Sequence, residues 1–205
     1  MAMNVAGLVG WIVAWFGQLY VLIVFLSRGF IFVFALTLLY AFYRAIIQLR
    51  YFPTAFHIRR VLQEYPWQML YNVPRGIDEH PDAEDSSIWI ELPDPTGRSE
   101  KGVPLTFVKH HRVSWWLRHI GGPRTKPERK AQLEPLWFAG DPRFLGVVAV
   151  STRNGRAPRR LHFLYRPSAF DRGAVGRQWE SVDAADLERA RRAGARFTGA
   201  TAAPH

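Results

Sequence analysis

Residues 5–49 contain two arginines, Arg28 and Arg44, and no Asp, Glu, Lys or His. A single helix over that stretch would be roughly 65 Å long at 1.5 Å per residue, about twice the hydrocarbon thickness of a bilayer. Half of it would then lie in water, so the stretch is expected to fold back on itself. Ser27-Arg28-Gly29 is the natural turn, leaving spans at 5–26 and 30–49, each near the ~20 residues needed to cross. Gly29 suits the left-handed conformation that ends a helix. Arg28 at the interface avoids the cost of a charge in mid-bilayer. The opening MAMNVAG has no basic n-region and the apolar run is far longer than a signal h-region, so the segment is expected to be retained.

A second pattern is consistent with a hairpin. Ala6, Gly10, Ala14 and Gln18 recur every four residues, as do Thr37, Ala41 and Ala45. A fold about residue 28 sets Gly10 opposite Ala45, Ala14 opposite Ala41 and Gln18 opposite Thr37. Small residues allow close helix approach in lipid, and a Gln18–Thr37 hydrogen bond would contribute about 1 kcal/mol. Arg44 in the last turns of the second span and Arg50, Arg59 and Arg60 after it precede any acid, against Arg28 alone at the other end. The positive-inside rule then places both termini in the cytoplasm of a multi-pass protein of the cell membrane. Neither span carries the ionisable groups of a proton relay, which fits an anchor.

From residue 51 on the chain has 24 Lys+Arg against 17 Asp+Glu, and it has no Cys at all. Disulfides, thiolate nucleophiles and Cys-ligated zinc are thereby excluded. Of the 27 basic residues, 23 are Arg, a bias that genome composition also produces, so the charge is only partial evidence for an anionic partner. Pro53 is expected to break the helix leaving the membrane, and PTAFHIRRVLQEY to form a separate amphipathic helix stopped by Pro66. Beyond it, SIWIEL and VPLTFVK alternate in the manner of paired strands. PLWFAG, FLGVVAVST and RRLHFLYR follow, the last two flanking the hairpin-prone Asn154-Gly155, and WQMLYNV is a further candidate strand. Asp183 and Gly194 bracket a final helix, and residues 197–205 are expected to be disordered. The fold class expected is α+β: a two-helix transmembrane hairpin (1–50), a juxtamembrane amphipathic helix (51–66), a small antiparallel β barrel or sandwich with flanking helices (67–182), and a C-terminal helix and tail (183–205).

Two charged stretches stand out, an acidic loop at 77–86 and KHHRVSWWLRHIGGPRTKPERK at 109–130. The second is a candidate lipid- or partner-binding segment, with Trp115 and Trp116 at headgroup depth and Lys109, Arg112, Arg118, Arg124 and Lys126 on anionic lipid. A plainer reading has the Trp pair in the domain core. It is slightly favoured, since Trp is a normal core residue and two adjacent side chains cannot share one face of a strand. His110, His111 and His119 lack a further ligand for zinc. Ser151 and His162 lack an orienting acid and an oxyanion hole. Glu134, Asp141 and Asp171 form no recognisable constellation, and Asp141 in Gly-Asp-Pro reads as a turn residue. No nucleotide-binding loop is present, so no catalytic residue, cofactor or metal is expected.

IRRVLQEYPWQ (58–68) and LWFAGDPRFLGVVAV (136–150) resemble segments of a group of uncharacterised actinobacterial membrane proteins. In that group a short N-terminal anchor precedes a small cytoplasmic domain. The resemblance covers under a fifth of the chain, omits the acidic loop and the Trp segment, and implies architecture without chemistry. At the level of fold alone, bacterial pleckstrin-homology-like domains following a membrane hairpin are similar. The expected function is that of a membrane-anchored cytoplasmic module binding a protein partner or anionic lipid headgroups, and not an enzyme. The alternatives are a membrane-bound hydrolase of unfamiliar type and a membrane-tethered nucleic-acid-binding module, nucleic acid being disfavoured for want of an RNP-type aromatic motif.

Overall fold

The computed structural model describes residues 2–25, 31–77, 80–83, 88–97, 102–109, 113–121, 125–152, 157–170, 179 and 182–196. The chain divides into two compact units, residues 1–56 and 57–205. The first holds α1 (Ala2–Phe25) and most of α2 (Ile31–Glu64). Within α1, Val5–Val24 is long and apolar enough to cross a membrane, and none of it is buried. The turn expected at Ser27-Arg28-Gly29 lies outside the described residues.

One expectation fails in α2. The helix does not end near Pro53 but runs through it to Glu64, so the amphipathic segment expected as a separate helix is its C-terminal end. A proline inside a helix removes one hydrogen bond and crowds the carbonyl four residues back, at about 3 kcal/mol. Part of what offsets that cost is visible in the second unit, where Ile58 and Val61 are buried in a core. Tertiary packing of an apolar face can outweigh such a local penalty. The end at Glu64 agrees with the stop expected at Pro66.

The second unit is built on a curled, antiparallel, seven-stranded sheet, a half-barrel with helices around it. Its strands are β1 (Gln68–Leu70), β2 (Arg75–Gly76), β3 (Trp89–Leu92), β4 (Val103–Phe107), β5 (Leu136–Asp141), β6 (Leu145–Ser151) and β7 (Pro158–Tyr165). The order is β1-β5-β6-β7-β4-β3-β2, so the sheet is open, with β1 and β2 at its edges. The β3–β4 and β6–β7 pairings are those the alternating segments announce; the Asn154-Gly155 turn itself falls outside the described residues. β2, two residues long, has no counterpart in the sequence reading.

Each face of the sheet supports a core. Ile90, Leu92, Leu105, Phe107 and Leu164 pack on one side with Trp116 and Ile120 of α3 (Val113–Ile120). Leu145, Val147 and Phe163 pack on the other with Ile58 and Val61 of α2 and with Leu187, Ala190 and Ala193 of α5 (Ala184–Ala193). Both faces being covered explains β6, which is buried from Leu145 to Val150. A strand covered on two sides reads as a continuous apolar run. The short α4 (Pro127–Ala131) follows α3 and has no buried residue.

Candidate interaction surface

The basic segment at 109–130 contains a helix, not a strand. In α3 the apolar Val113, Trp116, Leu117 and Ile120 recur at i, i+3, i+4 and i+7, the spacing of one helical face. Arg118 and His119 lie in its last turn, where cations favour the helix dipole. Gly121, at φ 53°, closes the helix and donates to the Leu117 carbonyl at 3.0 Å.

Helical geometry separates the two tryptophans by about 100° around the axis. Trp116 is 2% exposed and packs on Phe107 and His162, at ring-centroid distances of 5.4 and 6.3 Å. It is a core residue, as the plainer reading has it. Trp115 is half-buried and meets two cationic or ionisable groups. The His119 ring stacks on it at 3.8 Å and 22°, and the Arg160 guanidinium lies 4.7 Å from its ring centroid. His119 Nδ1 is 2.8 Å from the Trp115 carbonyl oxygen. A carbonyl only accepts, so Nδ1 carries the proton in that bond and Nε2 is the nitrogen left for other partners.

Arg160 reaches Trp115 through an irregularity of the sheet. Val148 pairs with His162 and Val150 with Arg159, so Arg160 and Leu161 together oppose Ala149. That two-against-one arrangement is a β-bulge, a device that bends a strand and re-aims a side chain. Arg160 adopts φ 54°, a conformation that favours glycine. Arg118, Lys126, Arg159 and Arg160 are exposed. Among the described residues, none of these four is ion-paired with a carboxylate. Arg118 Nε donates to the Ser114 carbonyl at 3.2 Å, and Arg159 Nε to that of Ser151 at 3.1 Å. Lys109 is exposed as well, while Arg112, Arg124, His110 and His111 lie outside the described residues. Sequence reasoning found the α3 half of this surface and missed Arg159 and Arg160. Only the curl of the sheet brings residues more than 40 positions away to Trp115.

The residues expected between the two N-terminal helices differ in burial. Ala41 is buried, Gln18 and Ala45 are half-buried, and Gly10, Ala14 and Thr37 are exposed. A Cβ on Gly10 would meet nothing within 4 Å. Contacts between α1 and α2 include further residues. A Cβ on Gly7 would lie 2.7 Å from Gln48 Nε2, Trp11 and Tyr40 meet edge to face at 5.8 Å, and Arg44 lies 5.6 Å over the Trp11 ring.

Other polar groups are committed to structure. Asp141 accepts from the Arg143 backbone N–H at 2.9 Å, as a turn residue should, and from its guanidinium at 2.6 Å. The same guanidinium donates to Asp186 of α5 at 2.7 Å. Hydrogen bonding to Asp141 first, and to Asp186, raises the Arg143 pKa beyond its already high value against the opposing effect of burial. The neighbouring Tyr65 hydroxyl is buried without a hydrogen-bond partner among the described residues, and burial followed by the Asp141 charge pushes its pKa up. Glu134 pairs with Arg75 at 3.2 Å. Ser151 Oγ accepts from Trp137 Nε1 at 2.9 Å, and His162 Nε2 meets the Val108 carbonyl at 3.1 Å, so each is engaged away from the other. Asp171 lies outside the described residues. Among the described residues no three His, Asp or Glu side chains are grouped to hold a metal. An open cavity of about 290 Å³ between Leu70–Pro74 and Glu91–Pro93 holds one carboxylate, Glu91. It accepts from the Gly102 N–H at 2.9 Å. No protein-family model, curated protein or solved structure matches the chain.

Proposed function

We propose that the chain is a membrane-anchored interaction module whose β-rich domain works in the cytoplasm, docking onto the lipid headgroup layer through α3 and the start of β7. The observation that carries this reading is Trp115, an amphipathic ring at the domain surface contacted by Arg160 and His119. Arg160 and the neighbouring Arg118 are exposed and, among the described residues, have no carboxylate partner. Trp and Arg together suit the interface, where an aromatic ring sits among headgroups and each nearby cation contributes about 1 kcal/mol on anionic lipid. The anchor is α1 together with the apolar part of α2, read as a multi-pass hairpin. The Arg44-to-Arg60 cluster supports a cytoplasmic C-terminus. The resemblance to anchored actinobacterial proteins points the same way. No catalytic residue is assigned.

The test uses full-length protein in lipid nanodiscs containing phospholipid brominated near the glycerol backbone. Bromine quenches indoles close to the interface, and the wild-type signal minus that of Trp115→Phe isolates Trp115. Quenching of that difference signal is expected. An unquenched Trp115 in both neutral and anionic discs would remove lipid docking and leave a protein partner as the occupant of the surface.

A further inference from the structure

Arg160 is an unusual residue at its position. A side chain at φ near +54° is strained relative to glycine, and a bulge residue in the left-handed region is ordinarily glycine. The cost is met where the sheet has the freedom to use any residue, on an exposed strand start. What the arginine gains there is aim. Its guanidinium lies 4.7 Å from the centre of the Trp115 ring instead of following the regular strand alternation. It is exposed and without a carboxylate partner among the described residues, so the contact leaves its outward donors available.

Resting on the docking surface proposed above, we infer that Arg160 is the residue that makes the surface selective for anionic phospholipid, by donating to a headgroup phosphate whose charge no choline ammonium offsets. The chemistry is that of a planar fork of N–H donors matched to phosphate oxygens, with Trp115 as the platform that fixes the plane. An ammonium offers no such plane, and an arginine stacked on an aromatic loses less freedom when it engages its ligand. Arg118, three residues beyond Trp115 and therefore adjacent on the helix surface, supplies the second cation. His119 presents Nε2 beside the same ring. Anionic lipid is favoured over a free phosphate because a membrane-anchored domain meets headgroups at a high effective concentration, whereas a soluble anion enjoys no such advantage.

The bulge offers a variant that separates binding from folding. Arg160→Gly removes the guanidinium while suiting the left-handed backbone better than the native residue. Full-length protein is placed in nanodiscs of phosphatidylcholine alone or mixed with phosphatidylglycerol, and amide hydrogen exchange is read over residues 113–121 and 157–165. Anionic lipid should slow exchange in both segments of the wild type. In Arg160→Gly that lipid-dependent protection should fall roughly fivefold, the equivalent of one lost headgroup contact. Inorganic phosphate added to neutral discs should not reproduce it. Undiminished protection in Arg160→Gly, or the same protection in neutral discs, overturns the role of Arg160 while leaving the docking surface in place. Equal protection by inorganic phosphate overturns the lipid as its source. Protection in neither disc overturns both the inference and the surface. Exchange in β6 monitors folding, and Arg160→Gln, which keeps the backbone strain, repeats the comparison should the glycine variant loosen the sheet.

Discussion

Arg143 joins three parts of the β-rich unit with one side chain. Its guanidinium bonds Asp141 at the end of β5 and Asp186 in the first turn of α5, and it lies 5.5 Å over Phe144, a fully buried core residue. Asp141 is 6% exposed, so removing its cation leaves a nearly buried carboxylate uncompensated. Arg143→Leu should therefore destabilise the unit by about 3 kcal/mol, read as a lowered urea midpoint by tryptophan fluorescence in detergent. A loss below about 1 kcal/mol would show that Asp141 rehydrates freely. His57 gives the complementary pH effect. Its ring stacks on Phe163 at 5.2 Å and its Nδ1 is buried without a hydrogen-bond partner among the described residues. Burial first, then Arg196 and Arg60, holds its pKa below the ordinary value near 6.5. The native imidazole stays neutral while the unfolded one takes up a proton, so its stabilising contribution is present above pH 6.5 and is lost as pH falls through the folded pKa. Thermal unfolding of wild type and His57→Phe between pH 8 and 5 should diverge, the wild type losing more stability on acidification. Parallel curves would assign the acid sensitivity elsewhere.

At the scale of elements, the reading from sequence succeeded where local chemistry alone decides the structure. Asp183 caps α5 by accepting from the Ala185 N–H at 3.1 Å, and Gly194 ends it at φ 115°. Both were legible because a cap depends on a few neighbouring residues. Asp183→Ala should cost about 1 kcal/mol, seen as faster amide exchange in the first turn of α5 before any change in β6. If α5 and β6 loosen together, the helix and the sheet unfold as one unit and the cap is not a local device. Strands β3 to β7 were legible for a similar reason, since alternation and turn residues are written along the chain. Three features were not. Pro53 reads as a helix stop, yet α2 continues through it, with Ile58 and Val61 buried beyond it. β2 is only two residues long and follows no pattern of its own. α3 is surrounded by His, Gly and Pro, and its four apolar positions are too few to announce a helix beside seven basic residues. The candidate surface divides along the same line. Trp115 and the cations near it are contiguous in sequence, whereas Arg160 joins them only through a bulge, which depends on a partner strand.

For the whole molecule, the question that most affects function is the sidedness of the β-rich domain. Among the described residues, α1 is the one helix found long and apolar enough to cross. If it were the only span, the N-terminus and the domain would lie on opposite sides. If the apolar part of α2 crosses as well, both lie on one side, and the bias of Arg44, Arg50, Arg59 and Arg60 over Arg28 makes that side the cytoplasm. The lipid-docking proposal depends on this outcome, because anionic lipid and its negative surface potential belong to the cytoplasmic leaflet. The chain has no cysteine, so a single introduced thiol reports its side without background. Glu188→Cys, at an exposed position on α5, should resist a membrane-impermeant maleimide in intact cells and react after lysis. Arg28→Cys should react in intact cells, and losing that one positive charge strengthens the orienting bias. Labelling of Glu188→Cys from outside would overturn the hairpin or its orientation, turn the basic surface away from the cytoplasmic leaflet, and require a partner of a different kind.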